Sequence, residues 1–506
     1  MKQKNTILAK YSHLKFFFLV FLCLSSVISA IKAQENKDFQ KAVSLSNEQI
    51  SWVDSCLNAF KQQYKVPGLA FAITYQNKVI FSQYAGYASL EDSVKVSAST
   101  VFRIASMSKS FTAMAILKLV EQGKLQLHDK VIKYVPELKA ADSTNVATIT
   151  IEHLLSHTSG LPEDNAWGDR QLAVSSKEFS AFLQKGLYFS TTPGVSYEYS
   201  NVGFTILGLI IERITQKSYG TFIKEQIWQP LNMKNAFWNY KLIPKKELAK
   251  GYSYQGGKWI TEPLLADGIY GAMGGMLVSL PSFLPYLNMH NNQVAVRGTV
   301  SNYHLKAMQK PTIISSINDN YSYLSGKKTT MISGYGYGLR WQKNKQGVEF
   351  IGHSGGLPGF GCNWTVVPQQ QIGIVLFTNK TYAPASAFNL MILSELLPQW
   401  HKTDTATSIL QQYMNLLMSD WQKMEHSNLY ANNFFLDEPK KERLQKIATV
   451  INQIGNIVEV GNIAAENKLR GTFKLKGNKG TAAVFFSLTP ENKPTIQSLE
   501  VSLLTK

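Results

Sequence analysis

Strand-like segments at both ends of a long helical middle constrain this 506-residue chain more than any other feature. Gly68–Tyr75 and Val79–Tyr87 read as two strands joined by a tight turn at Gln76-Asn77. The strand pattern returns only at Tyr335–Gln342, Val348–Ile351, Cys362–Val367 and Ile372–Thr378. Between the two sets the apolar spacing is helical, with helices expected at Ile151–His157, Ser176–Lys185 and Gly203–Ile214. Ile50–Tyr64 precedes the first strand as a helix, and Ala385–Leu397 follows the last one. The economical arrangement is a single antiparallel sheet drawing strands from both ends. Helices flank it and a helical lobe is inserted, an α/β (α+β) architecture.

The pattern restarts after Trp400. Helical segments at Thr407–Lys423 and Pro439–Ile454 are followed by strands at Lys468–Lys476, Ala482–Leu488 and Ile496–Leu503. The expected organisation is a first domain over residues 45–400 and a separate α+β domain over 405–506. Residues 1–33 differ from both. Lys2, Lys4, Lys10 and Lys15 precede the apolar run Phe16–Ile31, and Ala30 and Ala33 supply small residues, the pattern of a secretory signal peptide. The run is short for a membrane span, although an uncleaved anchor is the alternative. Export to the periplasm or the medium is therefore expected.

The formal charge is +18, of which five lysines and no acids in residues 1–33 supply 5, leaving +13 for the rest. No Arg-rich run with interleaved aromatics accompanies it, which argues against nucleic acid and leaves a basic surface facing solvent or an anionic cell envelope. Cys56 and Cys362 remain after export and could pair, although each also suits a small buried apolar position.

Chemistry concentrates in short motifs. Ser106 and Lys109 are one helical turn apart, so their side chains share a face, and the apolar run after them marks a buried helix. A hydroxyl becomes a useful nucleophile only when a neighbour takes its proton, and a lysine can do so once burial lowers its pKa. Tyr199 and Asn201 follow the Pro193-Gly194 turn and can point into one pocket. His353-Ser354-Gly355-Gly356 ends an apolar strand, where small residues admit a substrate and a backbone N–H can stabilise an oxyanion. His153 and His157 are spaced for zinc on a helix, but no third ligand accompanies them, so no metal is expected. Gly352–Gly356 matches G-x-S-x-G, yet Leu357-Pro358-Gly359 after it breaks the helix that a nucleophile elbow requires.

Taken in order, Ser106-x-x-Lys109, Tyr199-x-Asn201 and His353-x-Gly355 resemble the serine β-lactamase-related superfamily. The branch they are most similar to holds class C β-lactamases, D-alanyl-D-alanine peptidases and esterases, over about residues 45–400. The resemblance implies Ser106 as the acylated nucleophile, with Lys109 and Tyr199 sharing its deprotonation. Asn201 would orient the acyl group, and the N–H groups of Ser106 and Gly356 would form the oxyanion hole within the strand that carries His353, Ser354 and Gly355. It implies a small-molecule or peptide substrate and no cofactor. His353 departs from the lysine usual in β-lactamases, which favours peptidase or esterase action over β-lactam hydrolysis. A non-catalytic binding relative on the same fold is the alternative from another class. Pro162–Pro193 and Ala266–Val278 are expected to line the pocket. The tail from Phe434 to Leu503 resembles C-terminal domains attached to such hydrolases, with a cone-like fold of the nuclear-transport-factor type.

Overall fold

The computed structural model describes residues 45–400, 405–420 and 423–504; the leader-like residues 1–33 lie outside them. The chain divides into two compact units, one ending at Leu393 and the other beginning at Ser394.

The first unit is organised by a nine-stranded antiparallel sheet. Its strands are β1 (Gly68–Tyr75), β2 (Lys78–Ser89), β3 (Val94–Lys95), β4 (Ile313–Ser322), β5 (Lys328–Tyr335), β6 (Arg340–Asn344), β7 (Glu349–Leu357), β8 (Phe360–Val367) and β9 (Ile372–Thr378). They run in the order β3-β2-β1-β9-β8-β7-β6-β5-β4. The two ends of the unit therefore meet at the β1–β9 pair, registered Leu69 opposite Thr378 and Tyr75 opposite Ile372. The β1–β2 hairpin turns at Gln76-Asn77, both with positive φ (46° and 68°), the backbone that matches the strands' right-handed twist.

Helices cover both faces. Helix α1 (Asn47–Gln63) begins in a capping box formed by Ser46 and Gln49 and buries Val53, Leu57 and Phe60 along one stripe. Phe60 packs its ring at a tilt against Phe388 of the helix Ala385–Trp400, and Phe388 in turn meets Phe71 of β1. On the opposite face Phe377 and Trp364 pack on Phe283 of the helix Leu280–Asn292. Because both faces are covered, β1, β8 and β9 are buried almost throughout.

Three expectations about extent change. Tyr335–Gln342 is not one strand: β5 ends at Tyr335, and the turn closed by Gly336 N–H on the Leu339 carbonyl starts β6 at Arg340. Strand β4 was not anticipated, because an exposed edge strand carries Ser, Asn and Asp in place of an apolar alternation. Strand β7 runs on through Leu357, which places His353–Gly356 inside a strand. No helix follows Ser354, so it does not sit on a nucleophile elbow. Cys56 and Cys362 do not form a disulfide with each other.

The second unit has its own core. Leu410, Leu417, Phe434, Ile447, Phe473, Val484, Phe486 and Ile496 pack together. The helices Thr405–Asp420 and Lys440–Ile454 accompany antiparallel strands at Ile457–Val460, Ala464–Asn467, Arg470–Gly477, Thr481–Leu488 and Ile496–Leu503.

Candidate active site

Ser106 occupies a single 3-10 turn, Ala105–Met107, that leads directly into helix α2 (Ser108–Glu121). Every residue of α2 from Ser108 to Leu117 is buried, as its nearly unbroken apolar and small sequence requires. The turn is pinned from below. Ser108 Oγ donates to the Ala105 carbonyl (2.7 Å) and accepts from Met276 N–H (3.1 Å), while Ile104 N–H bonds the Met276 carbonyl. Ala105 is held at φ +50°, a left-handed conformation that L residues other than Asn and Asp rarely adopt, immediately before the serine. Strand β7 passes so close that a Cβ on Gly355 would lie 2.0 Å from the Ile104 carbonyl oxygen. Only glycine fits there.

Lys109 is fully buried, and its ammonium donates to Ser106 Oγ (3.1 Å), Asn201 Oδ1 (2.6 Å) and the Met273 carbonyl (3.0 Å). All three of its donors are used, and the nearest fixed partners are neutral. Burial therefore dominates and lowers its pKa from 10.5 to about 7, with Asp169 and Asp164 opposing the shift and Arg340 adding to it.

Asn201 opens helix α3 (Asn201–Thr215), and Asp164 caps that helix by accepting from the N–H groups of Asn201 (2.6 Å) and Val202 (2.9 Å). With Nδ2 of Asn201 donating to Asn165, the amide is oriented so that its oxygen faces Lys109. Tyr199 lies just before this helix, its ring 4.8 Å from the Lys109 nitrogen. Burial pushes its phenol far above the ordinary range, only partly countered by Arg340 and by a hydrogen bond with Ser106.

His157 accounts for the shape of this turn. It is buried at φ +57°, its Nδ1 accepts from Ser200 N–H (3.1 Å), and its ring packs against Tyr199 at 4.3 Å between centroids. His153 Nδ1 accepts from Thr150 N–H in a capping box. Both histidines of the i,i+4 pair thus serve the backbone, and no group of three or more metal-ligating side chains occurs among the described residues.

His353 is almost completely buried. Its Nδ1 contacts the Ser354 carbonyl, which can only accept, so Nδ1 carries the proton and Nε2 accepts from the Tyr335 hydroxyl (2.8 Å). Burial, with Arg340 and Lys109 nearby, holds its pKa well below the ordinary 6.5, so the imidazole is neutral. Ser354 Oγ accepts from Asn363, and Gly356 lies beneath the Tyr382 ring.

Two groups in the site escaped the sequence reading. Arg340 sits opposite Gly352 in the β6–β7 register, exposed, with its guanidinium 5.5 Å from the centre of the Tyr199 ring. No carboxylate ion-pairs with it among the described residues. Asp169 is 2% exposed and accepts from the Tyr382 hydroxyl (2.8 Å). Burial raises its pKa to about 6. Only the strand register, in one case, and the path of the helical lobe, in the other, bring these residues to Ser106; neither has a local motif. Pro162–Pro193 contributes Asp164, Asn165 and Asp169 to the site, and Ala266–Val278 contributes Met273.

A family model described as Beta-lactamase matches residues 53–393. Protein flp of Staphylococcus aureus (strain MW2) is 29% identical over 385 residues, covering 73% of this chain and 70% of flp. Penicillin-binding protein 4* of Bacillus subtilis (strain 168) is 27% identical over 314 residues, 60% of this chain and 66% of that protein. Among solved structures, the octameric penicillin-binding protein homologue from Pyrococcus abyssi aligns with a TM-score of 0.60 at 22% identity, over 90% of this chain and 98% of its own. A penicillin-binding protein from Bacillus halodurans aligns at 0.54 and 22%, over 67% and 98%. At that identity the likeness is one of fold, and the first of these alignments reaches beyond Leu393 into the second unit. With the match running from Val53 to Leu393, the chain belongs to the Beta-lactamase family and is a serine hydrolase of the β-lactamase and penicillin-binding protein type.

Proposed function

We propose that this enzyme cleaves peptide bonds next to a free carboxylate, through an acyl-enzyme on Ser106. The observation that carries the reading is Lys109: fully buried, 3.1 Å from Ser106 Oγ, with a pKa lowered to about 7. Near neutral pH a substantial fraction of this amine is uncharged and able to accept the serine proton. Tyr199 is the weaker base, because burial makes its phenolate costly; it remains a protonated donor beside the nucleophile.

The steps follow from these positions. Lys109 takes the Ser106 proton as Oγ attacks the scissile carbonyl, and the N–H groups of Ser106 and Gly356 stabilise the oxyanion, worth about 3 kcal/mol per donor in comparable hydrolases. The tetrahedral intermediate collapses by breaking the C–N bond. The leaving amine takes a proton from Lys109, relayed by Tyr199, and departs. Water then attacks the ester, Lys109 again accepts the proton, and the released Ser106 regains it. Net consumption is one water per bond cleaved.

Two further features support a carboxylate-bearing peptide. His353 is neutral and offers no fixed charge, whereas Arg340, without a carboxylate partner, presents a permanent one beside Tyr199. Export, read from residues 1–33, would bring the enzyme to cell-envelope peptides.

A fluorescent covalent serine probe tests the acyl-enzyme: wild type becomes labelled and Ser106→Ala does not. Labelling that survives Ser106→Ala sinks the assignment. Turnover of D-peptides, short esters and β-lactams then ranks the substrates, and efficient β-lactam hydrolysis with no peptide cleavage overturns the peptidase reading.

A further inference from the structure

One buried carboxylate is not used by these steps. Asp169 is 2% exposed, and while its Oδ2 accepts from the Tyr382 hydroxyl, its Oδ1 is buried with no hydrogen-bond partner. No Lys, Arg or His lies within ion-pair distance of it among the described residues. A carboxylate in that condition costs stability unless something else partners it, and such groups concentrate where a ligand is recognised.

Its position says which part of a ligand it would meet. Asp169 exerts the largest stabilising influence on the Lys109 charge, and its field also reaches Tyr199. The tyrosine that it holds packs its ring on Gly356: a Cβ there would be 2.6 Å from Tyr382 Cδ1. Arg340, by contrast, is registered against Gly352. Along an extended strand those two glycines are about 13 Å apart, at roughly 3.3 Å per residue. A substrate lying along β7 would therefore meet a fixed cation near one end of the site and an unsatisfied carboxylate near the other. In an extended peptide that distance spans about four residues, and fewer once the length of the arginine side chain is allowed for.

We propose that Asp169 is a specificity-determining residue that binds the ammonium group of the acyl portion of the substrate. The preferred substrates are then short peptides, two to four residues long, with both the amino terminus and the carboxylate free. Such a peptide places its ammonium against Oδ1 of Asp169 while Tyr382 retains Oδ2. This proposal rests on the acyl-enzyme reading above and adds the substrate class.

The test compares kcat/KM for D-Ala-D-Ala and D-Ala-D-Ala-D-Ala with their N-acetylated forms, in wild type, Asp169→Asn and Asp169→Glu. Ser106 labelling by the covalent probe is measured on the same preparations. Wild type should favour the free amines by 10-fold or more, mostly through KM. In Asp169→Asn, which keeps the side chain's shape, the ratio should fall to about 1, and Asp169→Glu should recover part of it. A wild-type ratio near 1, or an Asp169→Asn variant that keeps the preference, overturns the proposal. A wild type that the probe labels but that cleaves neither peptide form overturns it as well. Failure of the probe to label Ser106 is a different result, and it removes the hydrolase mechanism itself.

Discussion

Lys109 and His353 are both buried side chains that can carry a proton, and both stand in the same site. Burial treats them in opposite ways. The lysine starts from 10.5, so the cost of desolvation brings it down to about 7, where it can exchange a proton with Ser106. The histidine starts from 6.5, and the same cost drives it well below that value, so it stays neutral at neutral pH. In a dry pocket a group whose ordinary pKa is distant from neutrality is therefore the one that becomes useful. In the mechanism proposed above, the helical side of the site carries the movable proton. The sheet side is electrically fixed, with a neutral imidazole and a permanent guanidinium.

The comparison breaks most readily at the lysine. Lys109→Met should lower kcat/KM by about 10³-fold or more with little change in KM, read by steady-state turnover, because general-base assistance alone is worth about 10²–10⁴. On the sheet side, Arg340→Ala should cost roughly 10- to 100-fold, mainly in KM, for peptides with a free carboxylate. It should cost much less for their C-terminal amides. If both suffer equally, Arg340 acts through Tyr199 and not on the substrate.

The pH dependence sharpens the contrast. Log kcat/KM should rise as pH increases and level off above about 7, because the base must be uncharged, and the inflection should vanish in Lys109→Met. The same shift affects stability. The unfolded chain binds this proton more tightly than the folded one, so the Lys109 contribution to stability grows as pH rises from about 7 towards 10.5. Urea midpoints at a series of pH values would show it. His353 should add no inflection between pH 6 and 8.

Tyr335→Phe removes the donor to His353 Nε2 and should cost about 1–3 kcal/mol in urea unfolding, leaving the pH profile of turnover in place. The smallest effect is expected at Ala105→Gly, which relieves the φ +50° backbone. It should raise the unfolding midpoint by an amount equivalent to about 1 kcal/mol or less while lowering kcat, since the turn that holds Ser106 becomes freer.

How much of this was legible follows from the range of each signal. Ser106 and Lys109 are neighbours because of helical spacing, and Tyr199 and Asn201 because of one turn, so each pair could be read locally. The two-ended sheet was also legible, since β1 and β9 are almost wholly apolar and must be covered on both faces. Arg340 was not, because its place beside Tyr199 depends on the β6–β7 register and on a turn that interrupts what looked like a single strand. Asp169 was hidden for a related reason. An aspartate in a polar loop resembles any solvated acid until the fold brings Tyr382 over it. The zinc-like spacing of His153 and His157 was set aside for want of a third ligand, but nothing local showed that His157 holds the Ser200 backbone.

The meeting of β1 with β9 has a consequence for how the protein is made. Gly68 and Asn379, which bond directly, are 311 residues apart in sequence. At a synthesis rate of roughly 5–20 residues per second, the first hairpin waits about 15–60 s on the ribosome for its partner strand. Strand β1, apolar but for Thr74 and Tyr75 near its end, lacks its β9 partner for that interval, so a topology with so distant a pairing is expected to refold slowly from denaturant.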